Sequence, residues 1–225
     1  FRAEPAQRRD QAGVVLARLH GPDCQNERAS GQRVALAHAL QLGGGGHGLS
    51  TAYYLARKHG LRKVAVLERG WLGGGNSGRN TQVCRSNYFY PQSAAFYEHS
   101  LRLFESLGRE LNFNVMFSPR GNLELSHGLE ELEINRRWAN ALTLNGIDSE
   151  LLDRDDIRRM VPVLDLDGRF PVVGGFIQRR AGIARHDAVA WAYARGASAN
   201  GVDIVQRCEV LGFERGDSRI RAVTT

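Results

Sequence analysis

The feature that most constrains the folding of this chain is a glycine-rich turn with a helix and a short apolar strand after it. Gly43, Gly45 and Gly48 match the spacing G-x-G-x-x-G. A predicted helix begins directly after the turn, and the apolar strand that follows the helix ends on Glu68. In such units the first glycine allows a tight turn, the second lets a pyrophosphate approach the backbone, and the third lets helix and sheet pack closely. The order of these elements predicts a nucleotide-binding strand–helix–strand unit.

The same unit predicts a bound adenine dinucleotide. The start of the helix presents free N–H groups and the positive end of the helix dipole, and both favour phosphate. Glu68 lies about twenty residues after Gly48, the usual distance for an acid that accepts hydrogen bonds from ribose hydroxyls. Its charge would repel a 2′-phosphate. The alternative is a glycine-rich loop whose use is purely structural.

The composition is typical of a globular protein with a moderately positive charge. The 225 residues are 42% hydrophobic and 24% charged, enough for one core or somewhat more than one domain. No apolar run reaches the length of a membrane span, and the first residues do not resemble a signal peptide. The net charge of +6 comes from scattered arginines without interleaved aromatic side chains. This pattern argues against nucleic-acid binding and suits an anionic cofactor, substrate or partner subunit.

The cysteines indicate the compartment. Cys24, Cys84 and Cys208 have neither metal-binding nor redox spacing. They favour a reducing compartment without a disulfide framework, and hence a cytoplasmic protein. No cluster of His, Cys and carboxylate residues has the spacing of a metal site, so we predict no metal.

The chain divides into a leader, a discontinuous nucleotide-binding domain and an inserted domain. Residues 1–33 show no sustained period of 2 or 3.6 and predict weak structure. Residues 34–92 and 182–225 carry the nucleotide-binding pattern. A first strand is expected over residues 34–42, although that stretch has few β-branched side chains. Residues 93–181 are predicted to form the first part of a substrate or interface domain.

A second glycine-rich loop, over residues 69–81, follows the predicted ribose-binding acid. Backbone freedom and side chains able to bind phosphate or a ring edge are concentrated there, so contact with the cofactor is predicted. A flexible surface turn is the alternative. The remaining patterns predict helices over 92–111, 128–144, 153–160 and 188–199, the last with Asp187 as its N-cap, a hairpin over 116–125, and strands over 171–178, 202–205, 209–213 and 219–224.

Several blocks of the sequence resemble a known family. From about residue 42 to residue 225 the chain is similar to the β subunit of heterotetrameric sarcosine oxidases, which are FAD-dependent amine oxidases. The resemblance does not cover residues 1–41, where that family has a β-branched strand. The blocks that carry it are Gly43–Ala56, Gly70–Asn76, Arg79–Thr81, Arg85–Tyr88 and Gly182–Trp191.

The resemblance implies an α/β fold: a Rossmann-like FAD-binding domain of the glutathione-reductase type with an inserted α+β substrate domain, incomplete at the C-terminus. It also implies noncovalent FAD and an FMN bonded covalently to His186, with Arg185 a candidate neighbour of the FMN. Val210 is added as an FAD contact because the strand after the helix normally places its backbone against the adenine in this fold. Carried over residue by residue, the other expected FAD contacts are Gly43, Gly45, Gly46, His47, Gly48, Glu68, Asn76, Thr81 and Val83.

For activity, the resemblance implies oxidative demethylation of sarcosine to glycine. Sarcosine is oxidised at the FAD, electrons pass to the FMN, and oxygen is reduced there to hydrogen peroxide. The one-carbon unit passes to tetrahydrofolate on a large α subunit, which also holds NAD, and small subunits complete the hetero-oligomer. The sequence identifies no catalytic residue, and the residues that bind the substrate carboxylate are expected beyond Thr225 or on a partner.

The residues around His186 suit covalent attachment. A neutral imidazole nitrogen must attack an electrophilic methyl position of the flavin, and a helix start just after His186 and the adjacent Arg185 both disfavour the imidazolium. Pairing of the ring with Asp187 would act in the opposite direction. Without the resemblance, a surface histidine beside an N-cap is the simpler interpretation. Two further functions stay open: an FAD-dependent D-amino acid or glycine dehydrogenase that passes electrons to a quinone, and a noncatalytic truncated fragment.

Overall fold

A computed structural model describes residues 8–9, 15–16, 33–35, 39–216 and 220–225. The helices are α1 (Gly46–Lys58), α2 (Pro91–Glu110), α3 (Leu129–Leu144), α4 (Arg154–Met160) and α5 (His186–Ala199), with a 3₁₀ turn over Asn76–Gly78. The strands are β1 (Arg8–Arg9), β2 (Val15–Leu16), β3 (Arg33–Ala35), β4 (Ala39–Leu42), β5 (Val64–Glu68), β6 (Val83–Cys84), β7 (Asn122–Ser126), β8 (Glu150–Leu152), β9 (Gly174–Gln178), β10 (Gly182–Ile183), β11 (Asp203–Gln206), β12 (Gly212–Arg215) and β13 (Ile220–Thr224). Most of the predicted leader over residues 1–33 lies outside the described residues.

The first compact unit comprises the described residues up to Asn80 together with His186–Thr225. Its centre is a parallel sheet in the order β11–β5–β4. The first four residues of β5 are buried, as expected for a parallel strand that is covered on both faces. Helices α1 and α5 pack together, and small buried side chains such as Ala52 and Ala192 allow their close approach. This arrangement places the turn between β4 and α1 at the end of the sheet.

The first strand predicted over residues 34–42 is wrong in its extent. Ala39–Leu42 forms β4, parallel to β5, whereas Arg33–Ala35 forms β3 and pairs antiparallel with β13 in a separate sheet, β12–β13–β3. Residues 36–38 lie outside the described residues. The local sequence pattern does not indicate that this stretch divides into two strands, because β13, the partner of β3, is far away along the chain.

The second compact unit is Thr81–Arg185. Its main sheet is antiparallel in the order β7–β9–β8, and the central strand β9 is buried along its whole length. Phe176 on β9 is fully buried, and α3 and α4 both contact this strand. Around Phe176 lies a cluster of buried side chains from α2, α3 and the segment after α3: Ala94, Ala139, Leu142 and Ile147.

The hairpin predicted over residues 116–125 is wrong. Residues 122–126 form β7 and pair with β9, whereas Ser118 makes an isolated bridge with Ile183. Gly121 separates the two pairings with a positive φ of +86°. A Pro-Arg-Gly turn between two short extended segments resembles a hairpin locally, but each segment has its partner elsewhere in the chain.

The helices follow the predicted bounds closely, with corrections at single residues. Helix α5 begins at His186, so Asp187 lies in its first turn and is not the N-cap. Leu129, predicted to face inward, is 75% exposed because it is the first residue of α3, whereas Leu142 on the same helix is buried.

The boundaries of the two units differ from those of the predicted domains. The units divide after Asn80 and after Arg185, whereas the sequence pattern placed the boundaries after residues 92 and 181. The short strands β6 and β10 pair with each other and therefore belong to the same unit. The functional roles of the two domains stay a prediction.

Candidate functional site

The first glycine turn joins β4 to α1 and is tightly packed. Gly43 has a φ of +99°, and its N–H donates to the Leu67 carbonyl on β5 at 2.8 Å. Gly48 is buried, and a Cβ on it would lie 2.0 Å from the Gly43 carbonyl oxygen. Any side chain at Gly48 would therefore displace the turn. Gly45 is the N-cap residue of α1, and its carbonyl accepts the Leu49 N–H at 3.0 Å.

Glu68 ends β5, and its carboxylate connects the two glycine-rich loops. The Gly44 N–H donates to Oε2 at 2.6 Å, and the Gly70 N–H donates to Oε1 at 2.8 Å. Each carboxylate oxygen has further lone-pair capacity and can accept a ribose hydroxyl as well. The residue predicted to bind ribose therefore also fixes the turn that precedes α1.

The second glycine-rich loop folds back onto the first. The Gly73 N–H donates to the Gly44 carbonyl at 2.9 Å, and the Gly46 N–H at the start of α1 donates to the Ser77 hydroxyl oxygen at 2.8 Å. Sequence reasoning predicted that this loop contacts the cofactor but did not single out Ser77. A hydroxyl side chain among glycines, close after Glu68, was the signal that could have identified it.

The far end of this loop contacts His186. A Cβ on Gly78 would lie 2.5 Å from the Gly73 carbonyl oxygen, so the chain has no room for a side chain there. The Gly78 carbonyl oxygen lies 3.0 Å from Nε2 of His186. Because a carbonyl only accepts, this hydrogen bond assigns the proton of the neutral ring to Nε2. The lone pair is then on Nδ1, which is buried and has no hydrogen-bond partner among the described residues.

Three other expected FAD contacts lie in the same unit. His47 in the first turn of α1 and Asn76 in the 3₁₀ turn are both exposed. Val210 is not on a strand, which corrects the interpretation that added it, because β12 begins only at Gly212. Val210 is half-buried in the connection before β12 and packs against a cluster that includes Leu67 of β5.

The remaining expected contacts lie in the second unit. Thr81 and Val83 are exposed, and Val83 on β6 lies opposite Ile183 on β10. Arg185 is exposed as well, and its N–H donates to the Val115 carbonyl at 3.2 Å. The structure thus places Val83 on β6 beside β10, which ends two residues before Arg185.

A buried polar network in the second unit fixes the block Arg85–Tyr88. Gln178 is fully buried, and its side-chain oxygen accepts the N–H groups of Ser86 at 2.9 Å and Asn87 at 3.2 Å. Its amide nitrogen donates to the Ser86 hydroxyl at 2.6 Å and to Asp148 at 3.1 Å. All hydrogen-bonding positions of this amide are therefore used, as burial requires.

Glu98 on α2 extends this network. The Ser86 hydroxyl donates to one carboxylate oxygen at 2.8 Å, while Arg180 and Arg102 donate to the other at 2.7 and 3.0 Å. Burial raises the pKa of Glu98, but the hydrogen bonds from Arg180 and Ser86 and the charge of Arg180 outweigh that effect. The net result is a pKa below the ordinary value for glutamate. Through its hydrogen bond with Arg180, the charged carboxylate thereby links α2 to the segment just after β9.

The described part of the chain has neither a candidate metal site nor a helix that could span a membrane. No three His, Cys, Asp or Glu side chains there come together in a way that could hold a metal ion. None of the described helices has the length and apolar character needed to cross a bilayer.

Comparison with known proteins identifies the family of this chain. Residues 42–225 match the family described as FAD dependent oxidoreductase. The chain belongs to this family. Over 185 residues it is 53% identical to the sarcosine oxidase subunit beta of Rhizobium meliloti (strain 1021), covering 82% of this chain and 44% of that protein. Over 186 residues it is 50% identical to the sarcosine oxidase subunit beta of an Arthrobacter species, covering 82% and 46%.

Solved structures of other proteins have a fold similar to that of this FAD-dependent oxidoreductase. L-proline dehydrogenase from P. horikoshii matches with a TM-score of 0.77 and 24% identity, over 84% of this chain and 49% of that one. The α/β fold predicted from the sequence is confirmed by the family and by this likeness. The chain spans less than half the length of the two sarcosine oxidase relatives.

The residues of the first unit fit the FAD that the family name implies. Gly45 and Gly46 at the start of α1 have no side chains of their own, so a diphosphate can approach the backbone there beside the Ser77 hydroxyl. Glu68 holds its carboxylate at the end of β5, where a ribose would lie. When bound, FAD supplies a two-electron acceptor, and the contribution of the protein is to hold and orient it.

Proposed function

We propose that this chain is part of a flavin-dependent enzyme that demethylates sarcosine oxidatively to glycine, acting as the β subunit of a hetero-oligomer. The observation that carries the proposal is the 53% identity to the Rhizobium meliloti sarcosine oxidase subunit beta over 185 residues. In the net reaction, sarcosine, oxygen and water give glycine, a one-carbon unit at the level of formaldehyde, and hydrogen peroxide. The two electrons that leave the N-methyl group are those that reduce oxygen to the peroxide.

In this proposal the first unit holds FAD noncovalently. The backbone at Gly45, Gly46 and His47 lies at the start of α1 and receives the phosphates, while Glu68 accepts hydrogen bonds from ribose. The other proposed contacts are Gly43 and Gly48, which shape the turn, and Asn76, Thr81, Val83 and Val210.

We further propose that His186 carries a covalent FMN, with Arg185 beside it. Attachment replaces one C–H bond of a flavin methyl group with a C–N bond to the imidazole. One ring nitrogen forms the new bond through its lone pair, the other ring nitrogen loses its proton, and the methyl carbon loses one hydrogen. Oxygen takes up both hydrogens and two electrons as hydrogen peroxide. The unpartnered, buried Nδ1 of His186 supports a role for this ring beyond that of a surface side chain.

The proposed partners are those that the resemblance to heterotetrameric sarcosine oxidases implies. We propose a large α subunit that receives the one-carbon unit on tetrahydrofolate and holds NAD, small subunits that complete the assembly, and a cytoplasmic location. Residues 93–181 serve as the substrate or interface domain. The name "subunit beta" of the two relatives supports an assembly of several chains.

The decisive experiment uses the full-length subunit co-expressed with its partner subunits. We expect peroxide formation from sarcosine and oxygen, one flavin released by acid, and a second flavin that stays with the precipitated protein. In His186→Ala the acid-stable flavin disappears while the acid-released FAD remains. Release of every flavin from the wild-type complex would contradict the covalent attachment. Lack of peroxide formation despite full flavin content would contradict the proposed reaction.

The same preparation separates the two other functions left open by the sequence. A dehydrogenase that uses a quinone would reduce an added quinone analogue and form no peroxide from oxygen. If this chain is a noncatalytic fragment, it takes up no flavin even when it is co-expressed with the large subunit.

A further inference from the structure

The segment before α2 and the first turns of that helix expose a cluster of aromatic side chains. Residues 86–97 include no charged residue, and five of these twelve residues are Tyr or Phe. Four of the five rings are between 39% and 69% exposed. Monomeric proteins rarely expose large apolar side chains side by side, and such clusters mark interaction surfaces. We define the aromatic patch as Tyr88, Phe89, Tyr90, Phe96 and Tyr97.

The rings of the aromatic patch lie against one another. The Tyr97 ring stacks on that of Tyr88, with centroids 4.1 Å apart, and contacts the Phe96 ring edge to face at 5.3 Å. The Phe89 ring contacts that of Tyr90 edge to face at 5.5 Å. Tyr88 and Phe89 are adjacent in the chain and join the two sets of rings. The patch is therefore one aromatic surface rather than a set of scattered side chains.

The aromatic patch rests on a well-ordered base. Fully buried Gln178 accepts the backbone N–H groups of the two residues before Tyr88. Tyr88 packs against the buried cluster around Phe176, and Phe89 contacts the ring of Trp138, which packs against the same cluster. Rings held in this way lose little conformational freedom when a partner binds. Aromatic side chains with such support are the residues that commonly contribute most to protein interfaces.

Basic side chains flank the aromatic patch. The guanidinium of Arg85 lies over the Tyr88 ring, 4.7 Å from its centroid. His99 and Arg102 follow Phe96 at intervals of three residues on α2, and both are exposed, so they lie on the same side of the helix. Arg102 donates to buried Glu98, yet its side chain is 66% exposed. A partner that fits this surface has apolar side chains for the rings and carboxylates for the basic edge.

We propose that the aromatic patch binds a partner subunit of the hetero-oligomer, through a segment of that subunit that is apolar at its centre and acidic at its edge. The inference rests on the proposed function, because it takes this chain as one subunit of a hetero-oligomer. An apolar centre with a polar rim is the usual anatomy of a subunit interface. A second copy of this chain fits less well, because a twofold contact would place the same basic edge against itself and each copy carries a net charge of +6.

The first test asks which molecule covers the aromatic patch. The full-length subunit is labelled with hydroxyl radicals, alone and in the assembled complex, and the labelled residues are identified by mass spectrometry. We expect Tyr90 and Phe96 to be labelled in the free subunit and protected in the complex. Phe170, which is as exposed as Tyr90, is the control and should keep its labelling. Protection already in the free subunit would show that the same chain covers the patch, and equal labelling in both samples would show that no subunit binds there. Either result would overturn the inference.

The second test measures how much the two most exposed rings contribute. Tyr90→Ser and Phe96→Ser are each expected to raise the Kd of the complex about tenfold, a typical effect of removing an aromatic side chain from the centre of an interface. The Kd is measured by mass photometry as the purified complex dissociates on dilution. Phe170→Ser is the matched control, and urea unfolding checks that each variant folds. An unchanged Kd in both patch variants would overturn the inference.

The third test addresses the acidic edge of the partner. Arg102→Gln is expected to slow association with the partner subunits and to weaken the salt dependence of the association rate, because charges at the rim of an interface act mainly on this rate. A purely structural effect of the substitution would leave the salt dependence unchanged. Arg136→Gln on α3 is the matched control, because Arg136 is also exposed and paired with a glutamate. An unchanged salt dependence in Arg102→Gln would contradict an acidic partner.

The outcomes distinguish the inference from the proposed function. If the co-expressed chains form an active complex in which the aromatic patch is still labelled, the docking surface is wrong, while the hetero-oligomer stands. If the full-length subunit forms no complex with its partners, the hetero-oligomer is wrong and the inference falls with it. A free subunit that sediments as a dimer, and as a monomer in Phe96→Ser, would assign the patch to a second copy and overturn the inference.

Discussion

At the scale of single residues, Glu68 serves the fold and the site with the same carboxylate. Its two oxygens accept the N–H groups of Gly44 and Gly70, one from each glycine-rich loop. Hydrogen bonds to a charged group are stronger than those between neutral groups. The negative charge therefore stabilises the turn that is proposed to receive the phosphates, and the carboxylate can still accept hydrogen bonds from ribose hydroxyls.

Glu68→Gln tests this double role. One side of the amide can still accept a hydrogen bond, but its NH₂ group faces a second backbone donor. Loss of one charge-assisted hydrogen bond, worth about 1.5–3 kcal/mol, is expected to weaken FAD binding by roughly ten- to a hundredfold. The affinity is measured by fluorescence titration of the flavin-depleted full-length complex. Glu130→Gln, at an exposed position on α3, is the control. An unchanged affinity in Glu68→Gln would contradict the assignment.

Gly48→Ala tests the close packing of the first glycine turn, which joins β4 to α1. The new Cβ would lie 2.0 Å from the Gly43 carbonyl oxygen, so the turn must move and the phosphate site is lost. We expect the purified full-length complex to lack noncovalent FAD, measured as flavin released by acid. Gly128→Ala is the matched control, because no atom lies within 4 Å of its added Cβ. Full FAD content in Gly48→Ala would show that the turn can adapt.

At the scale of elements, the attachment of α2 to the end of β9 depends on a buried charge. The carboxylate of Glu98 on α2 accepts hydrogen bonds from Ser86 and from Arg180, two residues after β9. These bonds outweigh the effect of burial and lower the pKa of Glu98 below its ordinary value of 4.5. Because the folded-state pKa is lowered, the stabilisation is present above pH 4.5 and is lost as the pH falls through the lowered value.

Glu98→Gln should remove this pH dependence. We expect the variant to be less stable than the wild type by about 1–2 kcal/mol at pH 7, with the difference shrinking as the pH falls below about 4. The measurement is urea-induced unfolding of the full-length subunit at a series of pH values, with Glu130→Gln as the control. A stability difference that stays constant with pH would show that the charge of Glu98 is not what stabilises this contact.

The core beneath the main sheet of the second unit rests on Phe176. This side chain is fully buried on the central strand β9, at the centre of a cluster from α2, α3 and the following segment. Phe176→Ala is expected to lower the free energy of unfolding by about 3–5 kcal/mol, through lost burial and the cavity left behind. Phe96→Ala, at a position 69% exposed, should change it by no more than about 0.5 kcal/mol. Equal effects in urea unfolding would contradict this account of the core.

The elements also show what the sequence could and could not predict. Helix α2 was expected over 92–111 and spans 91–110, because a helix is specified by periodicity within its own sequence. The strand pairings were missed wherever a partner is distant: residues 116–125 resembled a hairpin, yet β7 pairs with β9. Hydrogen bonding between strands depends on the whole fold, and a local turn signal does not determine it.

At the scale of the whole molecule, the predicted parts of the site lie within one short stretch of sequence, whereas the missed contacts join residues that are distant in sequence. The glycine turn and Glu68 were predicted because they occupy fixed positions within one strand–helix–strand unit. The Ser77 contact to Gly46 and the Gly78 contact to His186 join residues that are distant in sequence, and only the folded unit brings them together. The roles assigned to individual flavin contacts stay predictions.

FAD binding is expected to stabilise the assembled protein. A ligand that binds only the folded state adds about 2.7 kcal/mol at a free concentration one hundred times its Kd. Thermal unfolding of the full-length complex, followed with and without added FAD, should show a higher midpoint with FAD in the wild type. In Gly48→Ala the midpoint should not respond to FAD. A wild-type midpoint independent of FAD concentration would contradict binding to the folded state.

The discontinuity of the first unit has a consequence for synthesis on the ribosome. Strand β5 ends at Glu68 and its parallel neighbour β11 begins only at Asp203, with the entire second unit encoded between them. At translation rates of about 5–20 residues per second, the nascent β5 waits roughly 7 to 27 seconds for that neighbour. Residues 81–185 leave the ribosome within this interval and can fold first. Until β11 has been synthesised, one edge of β5 lacks its partner strand and is open to pairing with another strand.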